Sequence, residues 1–171
     1  FLIREKMFTP AEVGVINKGM GLAATLIGAL LGGALMAKLG LFRSLLYYGI
    51  LQAVSNLSFM VLAAFEKSYV LMALAVGIEN LSGGMGTAAF VAFLMALCDP
   101  RYTATQFALL SAFASLGRVF VGPPSGIIAE QVGWVLFFGI TFFAAIPGLI
   151  LLWIMRQNVK DLEEKGHHVN N

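Results

Sequence analysis

Five stretches of this chain are long and apolar enough to cross a bilayer, and only short polar linkers separate them. A spanning helix takes about 20 mostly apolar residues at roughly 1.5 Å of rise each. Residues 13–37, 44–64, 69–98, 105–128 and 132–155 meet that length. Strand-like alternation of period two is absent, so these spans read as helices rather than as a barrel. Linkers such as KLGLF, FEKS and DPRYTA make consecutive spans antiparallel neighbours. The chain is 59% apolar and 12% charged, with a mean hydropathy of +0.86. A soluble domain carries roughly 25% charged residues, which excludes a water-soluble globule. The expected fold is therefore an all-α integral membrane protein.

The chain starts at Phe1, and FLI reads as the end of an earlier span in a longer protein. Residues 1–12 are expected to be that end and a loop, 13–155 a helical bundle, and 156–171 a polar tail. The tail KDLEEKGHHVNN is expected to fray. One cysteine, Cys98, leaves no intrachain disulfide, and both histidines, His167 and His168, lie in the tail. No zinc cluster or other metal is expected. A net charge of +2 gives no reason to expect a nucleic-acid partner.

Charge position says more than charge sum. Lys38, Arg43, Arg101, Arg156, Lys160 and Lys165 fall on one side of the membrane, and Arg4, Lys6 and Lys67 on the other. Cytoplasmic segments carry the excess of Lys and Arg, so the C-terminus is expected in the cytoplasm.

Three charges lie within spans: Lys18, Glu79 and Arg118. Ionisable groups inside a membrane are costly and face protein or water. Lys18 sits about 8 Å from the outer end of its helix, within snorkelling reach. Glu79 and Arg118 each lie about 15 Å deep on neighbouring spans and are expected to face one another. They form either a fixed ion pair or a substrate or proton site in a wet cavity. Ser111, Ser115, Arg118 and Gly122 share one face of the fourth span; Lys18, Gly21, Thr25, Gly28 and Gly32 form a stripe on the first. Gly28 and Gly32 make a small-xxx-small pair suited to close helix contact. The second and fifth spans have light polar content, chiefly Gln52, Ser55 and Asn56 in the second, and are expected to face lipid.

Residues 78–90, IENLSGGMGTAAF, set Glu79 and Asn80 ahead of Gly83, Gly84 and Gly86. Asn80 and Thr87 offer hydrogen bonds suited to sugar hydroxyls or peptide amides, and the glycines let a bulky solute approach the backbone. Pro123-Pro124 and Pro147-Gly148 are expected to kink the fourth and fifth spans. Kinked helices around polar groups at mid-membrane are a transporter pattern.

Residues 33–40, GALMAKLG, resemble the G-x-x-x-D-[RK]-x-G loop of the major facilitator superfamily, with Ala37 in place of the acid. A fuller match covers nearly the whole chain. EVGVINKGMGLAATLIGALLGG, LFRSLLYYGILQAVSN, ENLSGGMGTAAFVAFLMALC and ATQFALLSAFASLGRVFVGPPSG resemble the muropeptide permease (AmpG) family. That resemblance implies spans eight to twelve of a twelve-span carrier, whose remaining six-helix half precedes them. It implies that spans seven, eight, ten and eleven line the cavity or the domain interface, while nine and twelve face lipid. The implied activity is proton-driven import of GlcNAc-1,6-anhydroMurNAc and its peptides across the bacterial inner membrane. Import would feed peptidoglycan recycling, and accumulated products would influence β-lactamase induction.

The partners implied are a muropeptide, protons, the lipid bilayer and the N-terminal half. Candidate substrate or coupling residues within the matching segments are Asn17, Lys18, Glu79, Asn80, Thr87, Gln106, Ser111, Ser115 and Arg118. Three rival readings stand beside this one. A carrier of another amphipathic solute, such as an acyl-coenzyme A or an oligopeptide, would share the fold. A receptor or assembly subunit would use the helices without transport. An intramembrane hydrolase would need a nucleophile with its base, but the spans hold no histidine and no Ser-Lys pair at helical spacing, so no enzyme and no cofactor is expected.

Overall fold

The computed structural model describes residue 2 and residues 9–65, 68–99 and 101–169, apart from the side chains at 118, 123 and 164–169. Among the described residues there is no strand. The helices run α1 (Pro10–Ile16), a π-helical turn (Asn17–Gly21), α2 (Leu22–Leu39), α3 (Leu41–Ala64), α4 (Tyr69–Ala96), α5 (Thr103–Val132), α6 (Trp134–Ile154) and α7 (Arg156–Val169). With α1, the π turn and α2 taken as one rod, five helices of 30, 24, 28, 30 and 21 residues have the length and apolarity to cross a membrane. All five expected spans are present, and their ends lie within a few residues of expectation.

Local chemistry sets those ends. Thr9 and Glu12 form a reciprocal capping box around Pro10, with Glu12 N donating to Thr9 Oγ1 at 3.2 Å and Thr9 N to Glu12 Oε2 at 2.7 Å. The first helix therefore begins earlier than its apolar run. The Tyr69 hydroxyl donates to Glu12, joining the starts of α1 and α4. Two reversals use a single residue each, Gly40 between α2 and α3 and Gly133 between α5 and α6, at φ 82° and 83°. Gly40 N closes α2 on Met36 O at 2.9 Å, and its own carbonyl accepts from Ser44 N at 3.1 Å to open α3. Only glycine adopts that backbone without strain. The helices continue unbroken through Pro123-Pro124 and Pro147, so neither site ends a span.

The bundle is built around α4. Its contact with α2 is backbone against backbone: a Cβ on Gly32 would lie 2.7 Å from Met85 Cα, and one on Gly84 would lie 2.9 Å from Ala29 N. Gly28 meets the Leu81 carbonyl in the same way. Small residues permit this approach where lipid supplies no hydrophobic drive between helices. The Gly32 carbonyl also accepts the buried Tyr48 hydroxyl of α3 at 2.8 Å. At one end Leu62, Met72, Ala75 and Val76 form a buried cluster flanked by Val13, Ile16 and Phe59. Phe59 stacks on Phe138 of α6, with ring centroids 5.5 Å apart.

The structure revises two expectations here. The second span, α3, is not simply a lipid-facing helix. Ser44, Tyr48, Ser55 and Leu62 are buried against its neighbours, while Tyr47, Ile50, Val54 and Val61 are exposed on its other side. The tail is helical rather than frayed: α7 buries Val159, and Glu163 reaches Leu41. Polar composition concealed a helix with a narrow apolar edge at Val159 and Leu162.

Candidate functional site

Glu79 and Asn80 are adjacent on α4, so a helix turns their side chains about 100° apart. Each meets a different neighbour. Gln52 Nε2 of α3 donates to Glu79 Oε1 at 3.3 Å, and Ser55 Oγ lies 3.4 Å from Glu79 Oε2. Ser55 has one hydroxyl proton, and the Gln52 carbonyl is nearer at 2.7 Å. Gln52 is thus the firmer donor to the carboxylate, and Ser55 is shared. Ser82, one turn along α4, spends its hydroxyl on the Ile78 and Glu79 carbonyls of its own helix at 2.9 and 3.0 Å.

Asn80 turns to α2. Thr25 Oγ1 stands 3.1 Å from Asn80 Oδ1 and 2.9 Å from Gly21 O, and Asn80 Nδ2 donates to Val76 O at 2.8 Å. Gly21 makes room for this group: a Cβ there would sit 3.2 Å from Asn80 Nδ2 and 3.5 Å from Asn17 Oδ1. Gly21 closes the π turn, which carries Asn17 and Lys18 with both side chains exposed. Such turns insert an extra residue into a helix and recur at functional sites. Asn17, Thr25 and Asn80 therefore form one polar cluster beside the exposed Lys18.

Other candidate residues lie elsewhere. Gln106 does not face this cluster; its Oε1 accepts from Asp99 N at 2.6 Å and fastens the turn between α4 and α5. Ser115 donates to the Ser111 carbonyl at 2.8 Å on α5. Thr87 is exposed two turns beyond Asn80. The Arg118 side chain, and with it the expected pairing with Glu79, lies outside the described residues. The expected equal depth of these two residues does not hold along the helices. Glu79 is roughly 15 Å from the start of α4, while Arg118 is roughly 21 Å from the end of α5, which continues to Val132. Of the three glycines after Asn80, Gly84 packs on α2, Gly83 faces the Gln52 amide, and Gly86 has open space.

The partners of Glu79 were the residues least expected at a site. Tyr48, Gln52 and Ser55 stand at i, i+4 and i+7, one face of α3, and that spacing was the signal for them. A groove of about 560 Å³ runs between the π-turn region and α4, lined by Ile16, Met20, Leu74, Ile78 and other largely apolar residues. Among the described residues its surface is almost wholly apolar, which suits a polar solute poorly.

Glycine-paired helices with a partnered carboxylate and amide in their interior define a polytopic α-helical membrane protein with a polar core. The chain belongs to the Major Facilitator Superfamily, whose family profile matches residues 1–169. It is 53% identical over 160 residues to the Anhydromuropeptide permease of Escherichia coli (strain K12), covering 94% of this chain and 33% of that protein. AmpG 4 of Rickettsia felis is 36% identical over 152 residues, covering 89% of this chain and 37% of its own length. AmpG 1 of Rickettsia bellii is 33% identical over 141 residues, covering 82% and 34%. The chain spans about a third of the length of the curated relatives it matches.

Proposed function

We propose that this chain forms spans eight to twelve of a proton-coupled importer of peptidoglycan fragments, GlcNAc-1,6-anhydroMurNAc and its peptides, in the bacterial inner membrane. The observation that carries this reading is the 53% identity to Anhydromuropeptide permease across 94% of the chain. Family membership favours a permease over an enzyme. The excess of Lys and Arg at the α2–α3 and α6–α7 end supports a cytoplasmic location for that end.

In this reading the cluster of Asn17, Thr25 and Asn80 supplies amide and hydroxyl groups to sugar hydroxyls and peptide amides. Lys18 and Arg118 attract the carboxylates of the stem peptide. Thr87, Gln106, Ser111 and Ser115 remain secondary candidates along α4 and α5. Glu79 is the coupling acid on this side of the carrier. As a carboxylate it accepts from Gln52; as a carboxylic acid it can donate to the Ser55 oxygen, whose own proton is engaged by the Gln52 carbonyl. One set of neighbours therefore serves both protonation states.

The test is entry of labelled GlcNAc-anhydroMurNAc-tripeptide into proteoliposomes holding the protein at the full length of its relatives, under an imposed pH gradient. Uptake should collapse when the gradient is dissipated, and Glu79→Gln should uncouple entry from the gradient. Absence of uptake by folded, correctly oriented protein retires the substrate. Gradient dependence unchanged in Glu79→Gln retires the role of Glu79.

A further inference from the structure

The loop pattern G-x-x-x-D-[RK]-x-G places an acid where this chain has Ala37, and the Ala37 side chain is exposed. A carboxylate nevertheless stands at this junction. Glu163 Oε2 of α7 accepts from the backbone amide of Leu41, the first residue of α3, at 3.1 Å across 122 positions of sequence. Helix α3 needs such a partner, because Gly40 precedes it and has no side chain with which to cap the first turn. A carboxylate at a helix N-terminus also meets the positive end of the macrodipole. Gly40 leaves the space: a Cβ there would lie 3.1 Å from the Glu163 carboxyl carbon and closer still to Oε1.

One turn earlier on α7, and so on the same face, Val159 is 1% exposed. It packs with Leu41 and Phe42 in a cluster completed by Met36 of α2, Phe93 of α4 and Leu152 of α6. A polar latch and an apolar plug thus lie four residues apart and address the same junction.

We propose that α7 is a strap: Glu163 takes the place of the acid missing from the α2–α3 loop, and with Val159 it ties the ends of α2, α3, α4 and α6 into one body. The strap closes by one charge-assisted hydrogen bond and one small buried apolar side chain, and losing the hydrogen bond loosens α7.

The test uses the full-length protein in lipid nanodiscs, with native cysteines, Cys98 among them, replaced by serine and a reporter introduced as Val159→Cys. The rate of maleimide labelling reads how often α7 lifts. Adding Glu163→Ala should speed labelling roughly five- to tenfold, the scale of losing a helix cap. Glu163→Gln, which keeps the length and an acceptor oxygen, should give a smaller increase. Asp161→Asn, on the exposed face of α7, should leave the rate unchanged. Equal rates with and without Glu163 overturn the latch, as does equal acceleration by Asp161→Asn. If the alanine variant does not insert, the glutamine variant decides, and an unchanged rate counts against the strap. No transported solute enters this measurement, so it succeeds or fails apart from the import reading.

Discussion

Glu79 keeps its place in a membrane-spanning helix through side chains that α3 presents to it. Their shares are unequal, because the single Ser55 proton has a nearer acceptor in the Gln52 carbonyl. Gln52→Leu should therefore destabilise the full-length protein by about 0.6 to 1.7 kcal/mol, the range for interhelical polar contacts in lipid. Ser55→Ala should cost less than half of that. Unfolding in a graded detergent titration measures both, and equal losses would show that the two side chains share the carboxylate evenly. On the other side of α4, Thr25 and Asn80 join α2 to α4 through neutral groups. The two adjacent residues of α4 thus divide the work, one facing α3 and one facing α2.

At the scale of helices, the decisive contact is α2 against α4, where no side chain fits between the backbones. Helix propensity alone would make Gly→Ala favourable by up to about 1 kcal/mol at any interior position. Gly86→Ala, in open space, should follow that rule and be neutral or stabilising. Gly84→Ala should reverse it and destabilise by about 1–3 kcal/mol, since its Cβ would press on the Thr25 carbonyl and Ala29 N. Thermal unfolding of the two variants checks the sign. The spans were legible because length and apolarity are properties of a segment by itself, and Gly28 and Gly32 were legible because small residues at that spacing have few other uses in lipid. What the sequence concealed was which helix each face meets. Gln52 and Ser55 looked like sparse polar content until α4 was set beside them. Nothing in the sequence showed that Gln106 fastens the α4–α5 turn through Asp99 N. Helix α7 was hidden because a few apolar residues among many charges carry little weight in an average, yet Val159 alone packs into the cluster around Leu41 and Phe42. The π turn has no signature in residue type.

Over the whole molecule, burial is uneven. Among the described side chains of α5 only Ala129 is buried, and much of that 30-residue helix, including Leu109, Phe113 and Phe120, stands exposed. In the proposed carrier, its face with Ser111 and Ser115 turns to the cavity that the other half completes. A five-span bundle cannot rock against a half it lacks. The 171 residues reconstituted alone should give no accumulation of labelled muropeptide. Accumulation would show that these spans carry a route of their own. The link between Glu79 and Gln52 also bears on how the protein is made. Synthesis runs from the N-terminus, so α3 leaves the ribosome before α4. When the acidic segment reaches the translocon, the amide that receives it is already waiting in the membrane. Chain order thus spares the cell an unaccompanied carboxylate in lipid, and a permutation that placed α4 ahead of α3 would make insertion, rather than folding, the step that fails.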